Sequence, residues 1–456
     1  MNGNRRSRVS VTLTVCLAVQ IFCANVAAQS PTRTIVLKGA LLIDGTGRPA
    51  IENSVVVLRA DKVLAAGNTG SVRIPKDADV RDVSGKTIMP ALINLHGHIG
   101  LTTNGADSTG GKYQKENVQW QLLKYLSYGV ATVASFGEDS ELVFSLVDAQ
   151  HAGNFPGSRL FTAGRGFAEV NAHPNPADPR YHPNSPEEAR ALVIGLAAHH
   201  PDYVKMWVDD NLGRGTKMKP EIYKAIIDEA HRQKLRVFAH EFYLADAKDL
   251  ISAGLDGLAH SIRDQPVDDE LIKMMKGRDI FIIPTLVRDE VMFVYAQGPK
   301  WLDDPFFLAG VEPAVVTMLR SPDFVDKIRQ DPDLAKYRAG LEMAKMNLKA
   351  LSDAGVKIAF GTDSGVPTRF SGYFEHRELQ LMVEAGLTPM QAIVAATGTN
   401  AGILRGEREF GTLQPGRQAD FLVLDANPLQ DIHNTEKLFA VWQAGKIVPS
   451  LTAKQN

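Results

Sequence analysis

The chain has 456 residues, of which 44% are apolar and 22% charged, with a formal net charge of -2. That is ample material for a large soluble core. It lacks the like-charge blocks of a nucleic-acid or anionic-membrane binder, so a small molecule is the expected ligand.

Taken in chain order, Arg5, Arg6 and Arg8 precede an apolar stretch from Val9 to Ala24, followed by the small residues Ala27 and Ala28. This predicts a secretory signal peptide over 1–28, hence a periplasmic or secreted protein with no membrane attachment after cleavage. Thr12, Thr14 and Gln20 interrupt an apolar stretch barely long enough to span a bilayer, which argues against an anchor. Both cysteines, Cys16 and Cys23, lie within this segment. The mature chain therefore has no thiol, which leaves histidine and oxygen donors as its metal ligands.

Residues 29–88 read as short strands and turns, exemplified by "TIVLKGALLIDGTG" and "SVVVLRADKVLAAG". The same texture returns over 405–456 in "FGTLQPGRQADFLVLDANP" and "LFAVWQAGKIV", so a small β-sandwich domain built from both terminal segments is expected. Between them, over 89–404, strand-like runs alternate with amphipathic helices. The runs are "MPALINLHGHI", "GVATVASFG", "RLFTAG", "DYVKMWV", "RVFAHEF", "GLAHSI", "FIIPTLV" and "KIAFGTDS". Eight such units predict an α/β fold of the (β/α)8 TIM-barrel type. "PEEARALVIGLAAHH" and "PEIYKAIIDEAHRQK" place proline at a helical first turn, and "DAKDLISAG" ends on a stop glycine. The connections over roughly 165–187 and 288–334 are longer than such a fold needs, and are expected to wall or cover the pocket.

His96 and His98 point to one side of a strand and can share an ion, although two core histidines would show the same spacing. Lys205 stands in an otherwise apolar strand, where it needs either a buried carboxylate or conversion to a metal-bridging carbamate. His240 and His260 close the next two expected strands and Asp363 closes the last. In a barrel of parallel strands all these ends converge, and together they form a nitrogen and oxygen ligand set suited to zinc or manganese. Most of the remaining eight of the twelve histidines fall in predicted helices or loops.

These motifs, with "HRELQLMVEAGLTPMQAIVAATGTNAG" and "GTLQPGRQADFLVLDANPL" further on, resemble the amidohydrolase superfamily, in its imidazolonepropionase-like and Xaa-Pro dipeptidase-like branch. The resemblance covers nearly all of the mature chain. It implies two divalent ions, zinc first with manganese or cobalt as alternatives: His96, His98 and Asp363 on one, His240 and His260 on the other, and carbamylated Lys205 between them. It further implies hydrolysis of an amide-type C-N bond by a metal-activated hydroxide, with Asp363 as catalytic proton shuttle. The same centre suits esters, lactones, carbamates or phosphotriesters, and the ligand set also fits an isomerase or lyase. A non-catalytic periplasmic metabolite-binding protein is the alternative of another class. His173, Arg165, Arg288 and Tyr243 are candidates for holding a substrate carboxylate or amide, with no one of them singled out. A homo-oligomer remains open.

Overall fold

A computed structural model describes residues 33–102, 113–170 and 178–449. The expected signal segment 1–28 and His173 lie outside the described residues.

The N-terminal segment opens with β1 (Thr34–Lys38), β2 (Leu41–Leu42), β3 (Ser54–Arg59), β4 (Lys62–Asn68) and β5 (Asp79–Asp82). β1 and β3 pair antiparallel, as Ile35 with Leu58 and Leu37 with Val56, giving a four-stranded sheet in the order β4-β3-β1-β5. A second sheet mixes both ends of the chain. β6 (Thr87–Pro90) pairs with β15 (Phe421–Leu424), which is flanked by β16 (Leu438–Gln443) and β17 (Lys446–Val448), in the order β17-β16-β15-β6-β2. Its seam is apolar: Phe421 stacks on Trp442 at 5.1 Å, within a core that also takes Leu37, Val56 and Ile88.

The run expected as one strand over 89–99 divides at Pro90. Thr87–Pro90 belongs to the mixed sheet, whereas β7 (Leu92–Gly97) begins a parallel sheet with β8 (Val130–Ser135) and β9 (Arg159–Thr162). The backbone changes partners between them, Ala91 N donating to Asp420 O and Leu92 N to Gly129 O, each at 3.0 Å. A second parallel sheet takes β10 (Val204–Trp207), β11 (Val237–His240), β12 (Gly257–Ala259), β13 (Phe281–Ile283) and β14 (Lys357–Ile358) in chain order.

Pairing is continuous within each parallel sheet, apart from two register shifts between β7 and β8, and sparse between the sheets. On one side Phe167 bridges to Met206; on the other Gly97 bridges to Ser364, and Leu95 N donates to Phe360 O at 3.0 Å. The eighth run is a strand only at Lys357–Ile358. Beyond it the chain follows β7 through single bonds, and Asp363 adopts a positive φ of 59° outside extended geometry.

Helices alternate with the parallel strands. Pro186–Ala197 starts where Ser185 accepts from Glu188 N, and Pro220–Arg232 has proline in its first turn. The long connection 288–334, expected to wall or cover the pocket, is a chain of short helices, among them Pro305–Leu308, Pro313–Leu319 and Pro322–Arg329. Each begins with proline, and Asp304 and Ser321 cap two of them. Phe306 and Phe307 bury against the outer helices, with Tyr128 OH donating to Phe306 O at 3.0 Å. Only the start of this excursion, at Arg288 and Met292, reaches the pocket. Between the parallel strands lies an aromatic layer: Phe238 sits 5.9 Å from Phe136, 5.1 Å from Tyr203 and 5.0 Å from Phe281. It is the dry floor on which the polar groups stand.

Candidate metal centre

The residues singled out in the sequence come together above this floor. His96 is the penultimate residue of β7, His98 follows it, Lys205 lies on β10, His240 ends β11, and His260 comes one residue after β12. All are at most 6% exposed, as is Asp363. The His96 ring stacks on Phe136 at 4.2 Å and lies 4.8 Å from His260, which in turn lies 4.2 Å from His240. Asp363 Oδ1 sits 2.8 Å from His98 Nε2 and 3.4 Å from His96 Nε2. His260 and Asp363 both hold positive φ, 97° and 59°. Two non-glycine residues in that region within one cluster mark stored strain, which accumulates where geometry serves a ligand.

Three of the four histidines are held by a hydrogen-bonding or charged side chain. His98 Nδ1 meets Glu138 Oε2 at 3.0 Å, and His240 Nε2 meets Asp209 Oδ2 at 3.2 Å. In the third case His260 Nδ1 hydrogen-bonds Thr285 Oγ1 at 2.6 Å. His260 Nε2 is buried and without a hydrogen-bond partner. Partners of this kind orient ligands in metal sites.

Lys205 is fully buried, and its Nζ has no hydrogen-bond partner; it lies over the Phe136 and Trp207 rings at 5.0 and 4.8 Å. The buried salt bridge, one of the two alternatives the sequence offers, is not formed: no carboxylate among the described residues pairs with Lys205. Burial pushes its amine down to about 7. Gly137, at φ 94°, makes room for the side chain, since a Cβ there would stand 2.9 Å from Lys205 Cγ.

Burial works on the other groups as well. It lowers His240 to about 4 and drives His96 and His260 well below the ordinary histidine range. His98 goes the other way: against its burial, the Glu138 charge and the bonds to Asp363 and Glu138 raise it to about 9. Burial would raise Asp363, but the Arg369 guanidinium and the two histidine contacts hold it well below the usual carboxylate range.

Among the described residues, one set of ligand atoms already lies together: those of His96, His260 and Asp363, within 4.8 Å of one another. It takes a histidine from each of the two expected ion sites. His98 is instead shared between Asp363 and Glu138.

A cavity of about 500 Å3 opens above the cluster and reaches His98, His240 and Asp363. Of the sequence candidates for substrate contact, Arg288 lines it. Arg165 does not: its Nε is given to Pro179 O and its guanidinium stacks on Tyr181 at 4.3 Å. Tyr243 donates to Asp210 Oδ1 at 2.8 Å, away from the lining. Sequence reasoning missed Glu138, Arg180, Trp207 and Arg369, all on the wall. Glu138 lies three residues beyond the end of β8, where a strand-end rule would have found it. Arg180 and Arg369 lie on connections with no comparable signal.

Residues 87–449 match the amidohydrolase family. Ochratoxinase from Aspergillus niger is 26% identical, over 92% of this chain and 88% of its own length. Imidazolonepropionase from Streptomyces griseus is 23% identical, over 91% and 97%. Among solved structures, a Xaa-Pro dipeptidase with methionine bound in its active site superposes with a TM-score of 0.73 at 22% identity, covering 91% of this chain and 99% of that one. Family and site agree, because a family that depends on metal is matched here by a buried cluster with nitrogens left open to an ion. The chain belongs to the amidohydrolase family, and is an enzyme of the hydrolase class acting on small molecules.

Proposed function

We propose that this enzyme hydrolyses an amide-type C-N bond of a small molecule, a dipeptide, an N-acyl amino acid or a cyclic amide, at a centre of two divalent ions. One observation carries the reading. Four strand-end histidines and Asp363 converge while His96 Nδ1, His260 Nε2 and Lys205 Nζ, all buried, have no hydrogen-bond partner. Such unpaired buried groups are costly in a finished core and natural in a ligand site.

The residues fit the ions. His96, His98 and Asp363 would hold one and His240 and His260 the other, with Lys205, carrying a carbamate, between them; the grouping of His96, His260 and Asp363 favours a cluster in which the two sites share neighbours. The donors are nitrogen and oxygen, which suits zinc first and manganese or cobalt next. When bound, the ions supply an acidic water and a Lewis acid for the scissile carbonyl. The chain does the rest. Asp363 takes the nucleophile's proton and returns it to the leaving nitrogen, a carboxylate suited to this by its place between His98 and the open cavity. The aromatic floor excludes bulk water, and Thr285, Asp209 and Glu138 keep the rings in register.

The same proposal includes the frame. The bonds from Leu95 to Phe360 and from Phe167 to the β10 strand support closure of the parallel strands into a (β/α)8 barrel over 89–404. Pairing of β6 with β15 supports a β-sandwich from residues 29–88 and 405–456. Export to the periplasm or exterior, with cleavage after Ala28, rests on the sequence pattern of the first 28 residues.

A screen of zinc- or manganese-loaded protein against dipeptides, N-acyl amino acids, cyclic amides, lactones and aryl esters tests the reading. Chelator-sensitive hydrolysis is expected on an amide. Turnover confined to esters or lactones, or none at all, would overturn it.

A further inference from the structure

Guanidinium groups crowd the wall of the catalytic cavity. Arg180, Arg288 and Arg369 line it, against the carboxylates of Glu138 and Asp363, and both of those are engaged by His98. Two of the arginines converge on one atom. Arg369 Nη1 contacts Asp363 Oδ2, and Arg288 Nε stands 3.8 Å from the same oxygen. Arg288 Nε is buried and donates no hydrogen bond. Its Nη1 goes to Asp289 Oδ1 at 2.8 Å, but that oxygen also accepts from Arg263 Nη1 at 2.8 Å, so one carboxylate serves two cations.

Arg288 thus shares its one hydrogen-bonded carboxylate with Arg263, and binding an ion draws on the other carboxylate within its reach. A divalent cation held by His96, His98 and Asp363 would claim the carboxylate that now faces Arg369 and Arg288. Two partly buried guanidiniums, each with a side chain 16% exposed, then need another anion at the place where Asp363 Oδ2 holds them together. Forked donors match a carboxylate in geometry as well as charge.

Arg180 is a different case. Asp178 clamps it through Nε at 2.7 Å and Nη2 at 2.5 Å, and it lies 4.9 Å over the Trp207 ring, which makes it a fixed part of the wall. Trp207, Met292 and Val366 supply an apolar face on the same cavity. A volume near 500 Å3 suits a ligand of small-drug size.

We propose that Arg288 and Arg369 form a subsite for a carboxylate carried by the substrate, with the apolar wall taking its hydrocarbon part. Resting on the amide-hydrolase reading, this narrows the substrates to N-acylated amino acids and dipeptides with a free carboxylate, and sets aside neutral cyclic amides.

The test measures binding and needs no turnover. Its probe is a non-hydrolysable N-benzoyl-phenylalanine isostere with CH2 in place of the amide NH, compared with its primary carboxamide, titrated by calorimetry into the zinc-loaded full chain. The acid is expected to bind about 30-fold more tightly than the carboxamide, the scale for a buried charge pair. In Arg288→Met and Arg369→Met that ratio falls to about threefold or less, while the carboxamide's own affinity, which reports an intact pocket, stays within about threefold. Equal binding of the two probes by the unaltered protein, or a ratio preserved in both variants, overturns the subsite. If the acid is preferred and the preference is lost in both variants, yet no N-acyl amino acid is turned over, the subsite stands and the amide-hydrolase reading falls.

Discussion

Two buried polar clusters lie side by side on the same two segments of chain, and they are finished to different degrees. Beside the centre, Glu375 Oε1 accepts from Asn94 Nδ2 at 2.7 Å, Thr362 Oγ1 at 2.7 Å and Ser364 Oγ at 2.8 Å, while its Oε2 accepts from Gly372 N at 2.6 Å. Asn94 Oδ1 accepts from His96 N, and Tyr125 OH caps Ser364 at 2.6 Å. Each side chain of this network has its partners. The other cluster, formed by His96, His98 and Asp363 together with Lys205 and His260, keeps buried nitrogens with no partner. A complete network holds two segments in one register, whereas an incomplete one in an otherwise well-packed protein is a place prepared for something else. Adjacent residues divide the work: Asn94, Thr362 and Ser364 secure the chain so that His96, His98 and Asp363 can remain unsatisfied.

Substitutions in each cluster should therefore separate activity from stability. Asp363→Asn has the largest expected effect, a loss of about 10^3-fold or more in kcat with most of the metal retained; kinetics beside metal analysis checks it. Lys205→Met is next. Activity falls by about 10^2-fold or more and bound metal drops toward one ion per chain, yet the metal-free protein gains about 1 kcal/mol in a denaturant titration, because a buried unpaired amine is replaced by an apolar side chain. Loss of stability in the metal-free form would place Lys205 in the structural class and break the contrast.

Glu375→Gln should do the reverse. It costs about 2–4 kcal/mol, since an amide cannot accept all four hydrogen bonds, and metal affinity declines only as the fold loosens. The smallest effect lies outside both clusters. Burial, with Asp304 nearby, pushes the Glu436 carboxyl up to about 7 from an ordinary 4.5. Between those values the folded state binds more protons than the unfolded one, so stability declines as pH rises through the window and levels off above about 7. Glu436→Gln, whose carbonyl can still accept from Gln380 Nε2, should remove that slope and add about 1–2 kcal/mol at neutral pH and above, measured by urea titrations across the range.

The ends of β7, β10, β11 and β12 were legible in the sequence because a lysine and four histidines interrupt or close apolar runs, a pattern that is local. Asp363 does not close a strand as expected: the strand stops at Ile358, and Asp363 joins the histidines beyond it with a positive φ and a backbone bond to His96 on β7 far away in the chain. The break at Pro90 was hidden inside one continuous apolar run, for the two halves differ only in the partners they find. The helices of 288–334 carried a readable signal in the prolines at 305, 313 and 322 and the caps Asp304 and Ser321, which the aromatic and charged residues around them obscured. Arg180 and Arg369 could not be found from spacing. They reach the cavity through connections whose paths are set by packing, the second from a loop anchored by Tyr295 OH donating to Thr368 O at 2.6 Å.

The most direct test of the account is chelator-dependent amide hydrolysis. Zinc-loaded protein should release amino acid from an N-acyl amino acid or dipeptide, lose that activity on removal of metal and recover it on adding zinc, manganese or cobalt back. Undiminished hydrolysis by fully metal-free protein, or no amide cleavage by protein shown to carry its metal, would contradict it.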